Sequence, residues 1–98
     1  VLNDACYNMC RQGMATLKMS GADPLLPECD FAAFARSMGA GGARVRSELE
    51  LRSALTDALS ASGPFVLDVL IDPDSVAPSF DRNRSLAQQV LPHFPQKL

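Results

Sequence analysis

Residues 65–71 read Phe-Val-Leu-Asp-Val-Leu-Ile, an apolar and largely branched run broken once, by Asp68. Branched and aromatic side chains suit a pleated strand. A strand that is apolar on both alternations, rather than on one, suits a sheet covered on both faces, which is the habit of parallel sheets. Asp68 has two readings. It is either a buried catalytic acid, whose pKa burial would raise, or a side chain that meets a backbone N–H or a neighbouring helix. The second is the expected role.

The sequence before this strand is helical. Ser47 and Glu50 form a capping box, the serine accepting from an orphan N–H and the glutamate returning to the cap. Leu51, Ala54, Leu55, Ala58 and Leu59 then fall on one helical face, and Gly63-Pro64 stops the helix. Further upstream, Ala43-Arg44-Val45-Arg46 reads as a short strand with Val45 inward. Asp30 caps a short helix in which Phe31, Phe34, Ala35 and Met38 share a face, and Gly39, Gly41 and Gly42 end it. A first helix is expected from Ala5 to Lys18, with Met9, Cys10, Met14 and Leu17 at helical spacing and Gly13 as its weak point. Ser20 to Pro24 breaks it, and Pro27 prolongs the loop. Val1-Leu2 reads as the end of a strand.

The resulting order is strand end, helix, helix, strand, helix, strand, tail. That alternation is the grammar of an α/β layered domain with a parallel sheet. Two strands, at Val45 and at Phe65, make too small a sheet alone. Its missing neighbours are expected from chain preceding Val1 or from another subunit, so the chain reads as part of a larger domain. Residues 1–76 form that part, and residues 77–98 form a proline-bearing tail with one short helix near Ser85 to Val90.

Composition narrows the function. The chain has 98 residues, 47% of them apolar and 20% charged, which is a globular balance and one domain at most. The formal charge is −2 and the nine basic residues are scattered, which excludes a nucleic-acid stripe. No run is long enough to span a membrane. Three cysteines, Cys6, Cys10 and Cys29, are an odd set without a framework spacing. They point to free thiols in a reducing compartment, and so to the cytoplasm. Cys6 and Cys10 lie one helical turn apart and could face one metal with Cys29, but no histidine or fourth cysteine stands at zinc spacing. Lining thiols are the expected reading. His93, the one histidine, sits among prolines as a surface or packing residue.

In open parallel sheets, ligands bind beyond the carboxyl ends of the strands. Asn3 and Asp4 occupy such a place. A helix beginning just after them would aim free N–H groups at a phosphate. Asp4 offers a hard oxygen of the kind magnesium takes, alongside turn carbonyls and substrate phosphates. The same pair is also an ordinary turn and cap, and on spacing alone the turn reading leads.

The ordered set V-L-N-D-A-C-Y-N-M-C, D-F-A-A-F-A-R-S-M-G, R-V-R-S-E-L-E-L and G-P-F-V-L-D-V-L-I-D resembles the last part of the diphosphate-binding domain of thiamine-diphosphate enzymes. The acetolactate synthase and 2-oxo acid decarboxylase group is the nearest in pattern. The resemblance covers about Val1 to Val76. It implies thiamine diphosphate and Mg2+ as cofactors and a carbon–carbon lyase or carboligase acting on a 2-oxo acid or a related carbonyl substrate. Flavin (FAD) stays open, since no residue of the chain indicates it. In the family, the second residue of an Asn-Asn pair and a carbonyl two residues later hold the metal. Carried over, the metal ligands are Asp4 and the carbonyl of Cys6, with Asn3 supporting the turn. Asp4 departs from the pattern by replacing Asn, which adds negative charge beside the diphosphate. Asn3, Asp4, Cys6, Tyr7 and Met9 become the cofactor-binding residues, and Met9 with Cys10 a pocket wall. Some decarboxylases carry a catalytic glutamate at the place of Cys10, so Cys10 argues against that mechanism. No residue of this chain is then itself catalytic, because the family's activating glutamate belongs to a different domain, usually on a neighbouring subunit. The partners implied are the remainder of the enzyme and a homodimer or homotetramer. The family often has an acid at the place of Asp68 without a catalytic role. The rival reading is a non-catalytic α/β partner that completes another chain's sheet.

Overall fold

The computed structural model describes residues 1–21, 23–75, 84, 85 and 88. They fall in two compact units, one formed by Val1–Ala5 with Pro27–Asp72, the other by Cys6–Leu26 with Pro73–Leu98. The expected short helix near Ser85 to Val90, and His93, lie outside the described residues except for Ser85 and Gln88. No helix among the described residues is long and apolar enough to cross a membrane.

The first unit is a parallel sheet of strands β1 (Leu2–Asn3), β2 (Gly41–Val45) and β3 (Phe65–Leu70) with helices α2 (Phe31–Ser37) and α3 (Glu48–Ser60). The second unit carries α1 (Asn8–Thr16). β3 is central, in the order β1-β3-β2, and both pairings are parallel. The α/β parallel-sheet class read from the sequence is therefore the fold. β1 pairs with β3 at Leu2↔Val69 and Asn3↔Leu70, while β2 runs along β3 from Gly41↔Phe65 to Val45↔Val69.

Alternation along this register sorts the residues by face. Gly42, Arg44, Val66 and Asp68 share one face. That face belongs to α2, because the Phe31 N–H donates to Asp68 Oδ2 at 3.2 Å. Val45, on the opposite face, is 1% exposed. α3 packs against both β2 and β3. The rest of β3 is only half-buried, so the two-sided cover expected of this strand is partial.

The helices approach the sheet through small residues. A Cβ built on Gly42 would stand 2.5 Å from the Ala32 carbonyl oxygen, and one on Gly41 would stand 2.4 Å from the Phe65 ring. These two glycines are strand residues that admit a close neighbour, not the helix terminator the sequence suggested; Gly39 alone ends α2, at φ 86°. The contact face of α2 is accordingly Ala32 and Ala35, both buried, while Phe34 and Met38 point outward at 62% and 72% exposed. The Phe31/Phe34/Ala35/Met38 stripe is thus corrected: a backbone-to-backbone approach at Gly42 leaves no room for large side chains. On α3 the buried line is Ala54, flanked by half-buried Leu51 and Ala58, and Leu59 is exposed.

Two local predictions hold in detail, and a third is met one residue away. Asp30 Oδ1 accepts from the Ala33 N–H at 2.8 Å as the cap of α2. Ser47 Oγ accepts from the Glu50 N–H at 3.3 Å. Glu50 Oε2 returns to the Arg46 N–H at 2.6 Å, one residue before the cap. α1, in contrast, begins three residues later than expected, because Ala5 sits in the left-handed region at φ 48° and Cys6 pairs with Leu25 in an antiparallel bridge. It ends at Thr16 because Lys18 takes φ 52°.

Candidate functional site at the end of strand β1

β1 delivers Asn3 to the carboxyl edge of the sheet, 7% exposed. Its amide is fully engaged. Nδ2 donates to Asp68 Oδ1 at 2.9 Å and to the Cys29 carbonyl at 3.0 Å, while Oδ1 accepts from the Ala5 N–H at 3.2 Å. The last bond closes a turn over Asp4, mimicking a backbone turn as asparagine side chains do. Ala5 pays for that turn with a left-handed backbone, a conformation that costs a non-glycine residue roughly 1–2 kcal/mol. Asp4 is carried between these two residues, half-buried.

Asp68 is the hub beneath the turn, and it is completely buried. Oδ1 takes the Asn3 amide, Oδ2 takes the Phe31 N–H, and Arg44 Nε lies 3.5 Å from Oδ2. A buried carboxylate is costly unless paired and hydrogen-bonded, and this one is both. Arg44 also reaches Glu28 Oε1 at 2.6 Å, and its other terminal nitrogen lies 3.8 Å from Asp30 Oδ2. The Asp30 carboxyl is held below its ordinary value by the Ala33 N–H first and by Arg44 and Arg36 next. The expectation that Asp68 meets a backbone N–H and a helix is met. Its bond to Asn3, and the role of Arg44, were not read from sequence. Only the register shows it: Asn3 pairs with Leu70, and Asp68 is two residues before Leu70, so the two polar side chains fall on one face.

In the second unit, the chain leaves Cys6 with the Tyr7 N–H bonded to the Pro24 carbonyl at 2.8 Å. Tyr7 is the N-cap of α1, yet its side chain makes no cap bond, and the first turn holds no acid. Tyr7, Met9 and Cys10 are all exposed, and Cys6 is half-buried. Asn8 Nδ2 and Arg11 both donate to the Pro73 carbonyl, and Arg11 also pairs with Asp74. Asp74 raises the Arg11 pKa above its ordinary value, Cys6 adding a smaller contribution. An open groove of about 600 Å³ runs beside α1, lined by Arg11, Met14, Met19, Pro24 and Leu25 among others. Met9 and Cys10, the expected pocket wall, do not line it.

Among the described residues, no group of three or more His, Cys, Asp or Glu could hold a metal ion. No disulfide joins Cys6, Cys10 or Cys29. What the turn offers is one hard carboxylate on a fixed loop.

Comparison with known proteins agrees with this geometry. Residues 1–69 match the family model described as thiamine pyrophosphate enzyme, C-terminal TPP binding domain (thiamine pyrophosphate being thiamine diphosphate). A Mycobacterium tuberculosis (strain ATCC 25618 / H37Rv) protein named "Putative acetolactate synthase large subunit IlvB2" is 47% identical over 55 residues. That stretch is 56% of this chain and 10% of the relative, so the chain matches about a tenth of the relative's length. No solved structure matches. With the parallel sheet, the strand-end turn and the family match in agreement, the chain belongs to the thiamine pyrophosphate enzymes, as part of their C-terminal TPP binding domain.

Proposed function

We propose that this chain supplies one side of a thiamine-diphosphate and Mg2+ site in a carbon–carbon lyase or carboligase that acts on a 2-oxo acid. The observation that carries the reading is the Asn3–Ala5 turn at the carboxyl end of β1, where the Asn3 amide is locked on both sides and Asp4 is held above it. The residues fit the ion. Magnesium prefers about six oxygens and commonly takes only one or two carboxylates from the protein, the rest coming from phosphates and water. A lone carboxylate on a rigid turn is what such a shared site asks of one segment. Asp4 and the Cys6 carbonyl are the metal ligands in this reading.

The chemistry supplied by the bound cofactor is addition to a 2-oxo acid carbonyl and storage of the electron pair released when CO2 departs. The chain's own residues bind and orient. Asn3 keeps the turn closed, and Asp4 adds a charge that anchors the metal. The N–H groups of the first turn of α1, without a side-chain cap, favour the anionic diphosphate. Tyr7 and Met9 offer apolar surface to the cofactor, and Met9 with Cys10 forms the wall toward the substrate. Cys10 carries no carboxyl, so proton transfer falls to groups outside this chain. The rest of the binding domain, assembled as a homodimer or homotetramer in the cytoplasm, completes this reading.

The test is thermal unfolding of the intact protein with thiamine diphosphate, with and without Mg2+. The cofactor should raise Tm only when Mg2+ is present, and Asp4→Ala should abolish the gain. An unchanged shift in Asp4→Ala removes Asp4 from the site.

A further inference from the structure

We propose that Asp68, buried in the centre of the sheet, is a positioning residue for the metal-binding turn, acting on Asp4 through the orientation of the Asn3 amide. This rests on the reading of Asp4 as a metal ligand.

The argument starts from the number of bonds. The Asn3 Nδ2 has two hydrogens, and both are used, on Asp68 Oδ1 and the Cys29 carbonyl. With Nδ2 fixed in this way, Oδ1 can only face the Ala5 N–H, which it accepts at 3.2 Å. The orientation matters because the two ends of an amide have opposite hydrogen-bonding character. Turned over, Asn3 would present N–H to N–H at Ala5, and the left-handed Ala5 would lose the contact that offsets its strain. Asp68, together with the Cys29 carbonyl, therefore decides which end of Asn3 the turn sees.

A neutral residue could not do the same. Asp68 accepts on both oxygens, from Asn3 on one and from the Phe31 N–H on the other. An asparagine here has one acceptor and one donor. If it kept the Phe31 bond, its N–H2 would face Asn3 and draw the Asn3 oxygen toward it, away from Ala5. This explains why a full carboxylate stands at a position with no exposure, with Arg44 beside it. The arrangement resembles the partners behind metal ligands generally, which orient the ligand without touching the metal.

The test is Mn2+ binding to the intact protein in the presence of thiamine diphosphate, followed by the loss of the free-ion electron paramagnetic resonance signal. Mn2+ suits an oxygen site built for Mg2+. Asp68→Asn should raise the Mn2+ dissociation constant about tenfold or more, the usual range for losing a partner behind a ligand. Asn3→Ser cuts the same link from the other end and should weaken Mn2+ comparably, which keeps the proposal testable if Asp68→Asn does not fold. Phe31→Pro removes the second donor to Asp68, along with the half-buried Phe31 ring, at a helix position that tolerates proline. It should lower Tm and leave the Mn2+ affinity unchanged. Wild-type Mn2+ affinity in either Asp68→Asn or Asn3→Ser overturns the proposal. So does a Phe31→Pro loss as large as that of Asp68→Asn, since Asp68 would then serve stability alone. Asp4→Ala separates the two levels: wild-type Mn2+ affinity there overturns the metal reading itself, whereas weakened binding in Asp4→Ala beside normal binding in Asp68→Asn overturns only the role of Asp68.

Discussion

Asn3 Nδ2 donates to Asp68 Oδ1 across 2.9 Å, joining the end of the edge strand β1 to the middle of the central strand β3. The same carboxylate holds the first N–H of α2 and faces the Arg44 guanidinium. One buried side chain thus ties together three elements and the strand-end turn. Removing it leaves the Phe31 N–H without its acceptor, leaves the Asn3 amide with the Cys29 carbonyl alone, and leaves Arg44 to Glu28 and Asp30. Asp68→Ala should cost about 1–3 kcal/mol, the range for leaving a buried polar group without its partner. That is a large part of the stability of a domain of this size. Urea unfolding by circular dichroism measures it, and a loss below about 1 kcal/mol would place Asp68 among ordinary surface partners.

Gly42 sets the spacing between α2 and β2. Its missing Cβ would lie 2.5 Å from the Ala32 carbonyl oxygen, a backbone atom that cannot swing aside. Gly42→Ala should therefore destabilise by about 1–3 kcal/mol, as overpacking does. Gly63→Ala is the matched control, since nothing lies within 4 Å of its would-be Cβ and its backbone is not left-handed. The two variants should separate clearly in Tm, with Gly63→Ala near wild type.

The parallel α/β class, the Asp30 cap and the Ser47–Glu50 box were legible because each rests on local chemistry or on a long apolar period. The strand around Val45 was legible for the same reason. What was not legible depended on how closely two backbones approach. Phe34 and Met38 looked like core because they recur at helical spacing, but the Gly42–Ala32 contact selects the alanines instead. The start of α1 was misplaced because no residue type signals that Ala5 will turn left-handed. At the strand end, Asn3 and Asp4 read from their spacing as a turn first, and the metal-binding expectation for Asp4 took its weight from the ordered family pattern. The Asn3–Asp68 bond needed the register of β1 on β3, which no single segment encodes.

Lys18 is a second left-handed residue, with a more ordinary role. At φ 52° it closes α1, its N–H donating to the Ala15 carbonyl while the Met19 N–H reaches back to Met14. These are the two bonds of a Schellman ending, which glycine usually occupies. At the end of α2 the same pair of bonds forms around Gly39, which is the expected residue. Lys18→Gly relieves the left-handed strain, against a larger entropy loss on folding. The net effect should be a gain of up to about 1 kcal/mol, seen as a higher urea midpoint. A lower midpoint would show that the lysine side chain contributes more than the backbone strain costs.

Asp30 gives the fold a defined response to acid. Its carboxylate accepts from the Ala33 N–H at 2.8 Å and faces Arg44 and Arg36, so the folded pKa lies below the ordinary value of 3.8. A depressed folded pKa means that the unfolded chain binds the proton more readily. The stabilisation is therefore complete above the ordinary carboxylate range, and it is lost as pH falls through that range toward the lower folded value. Asp30→Asn keeps a side-chain oxygen for the Ala33 N–H, because asparagine caps helices about as well as aspartate. It cannot take up a proton, and so it removes this part of the acid response. Urea unfolding of the two proteins at pH 6 and near pH 3, values chosen to bracket the ordinary carboxylate range of about 4, reads the difference. The wild type should lose more stability between the two pH values than Asp30→Asn does. Equal losses would assign the acid response to other carboxylates and leave the Asp30 cap as a neutral hydrogen bond.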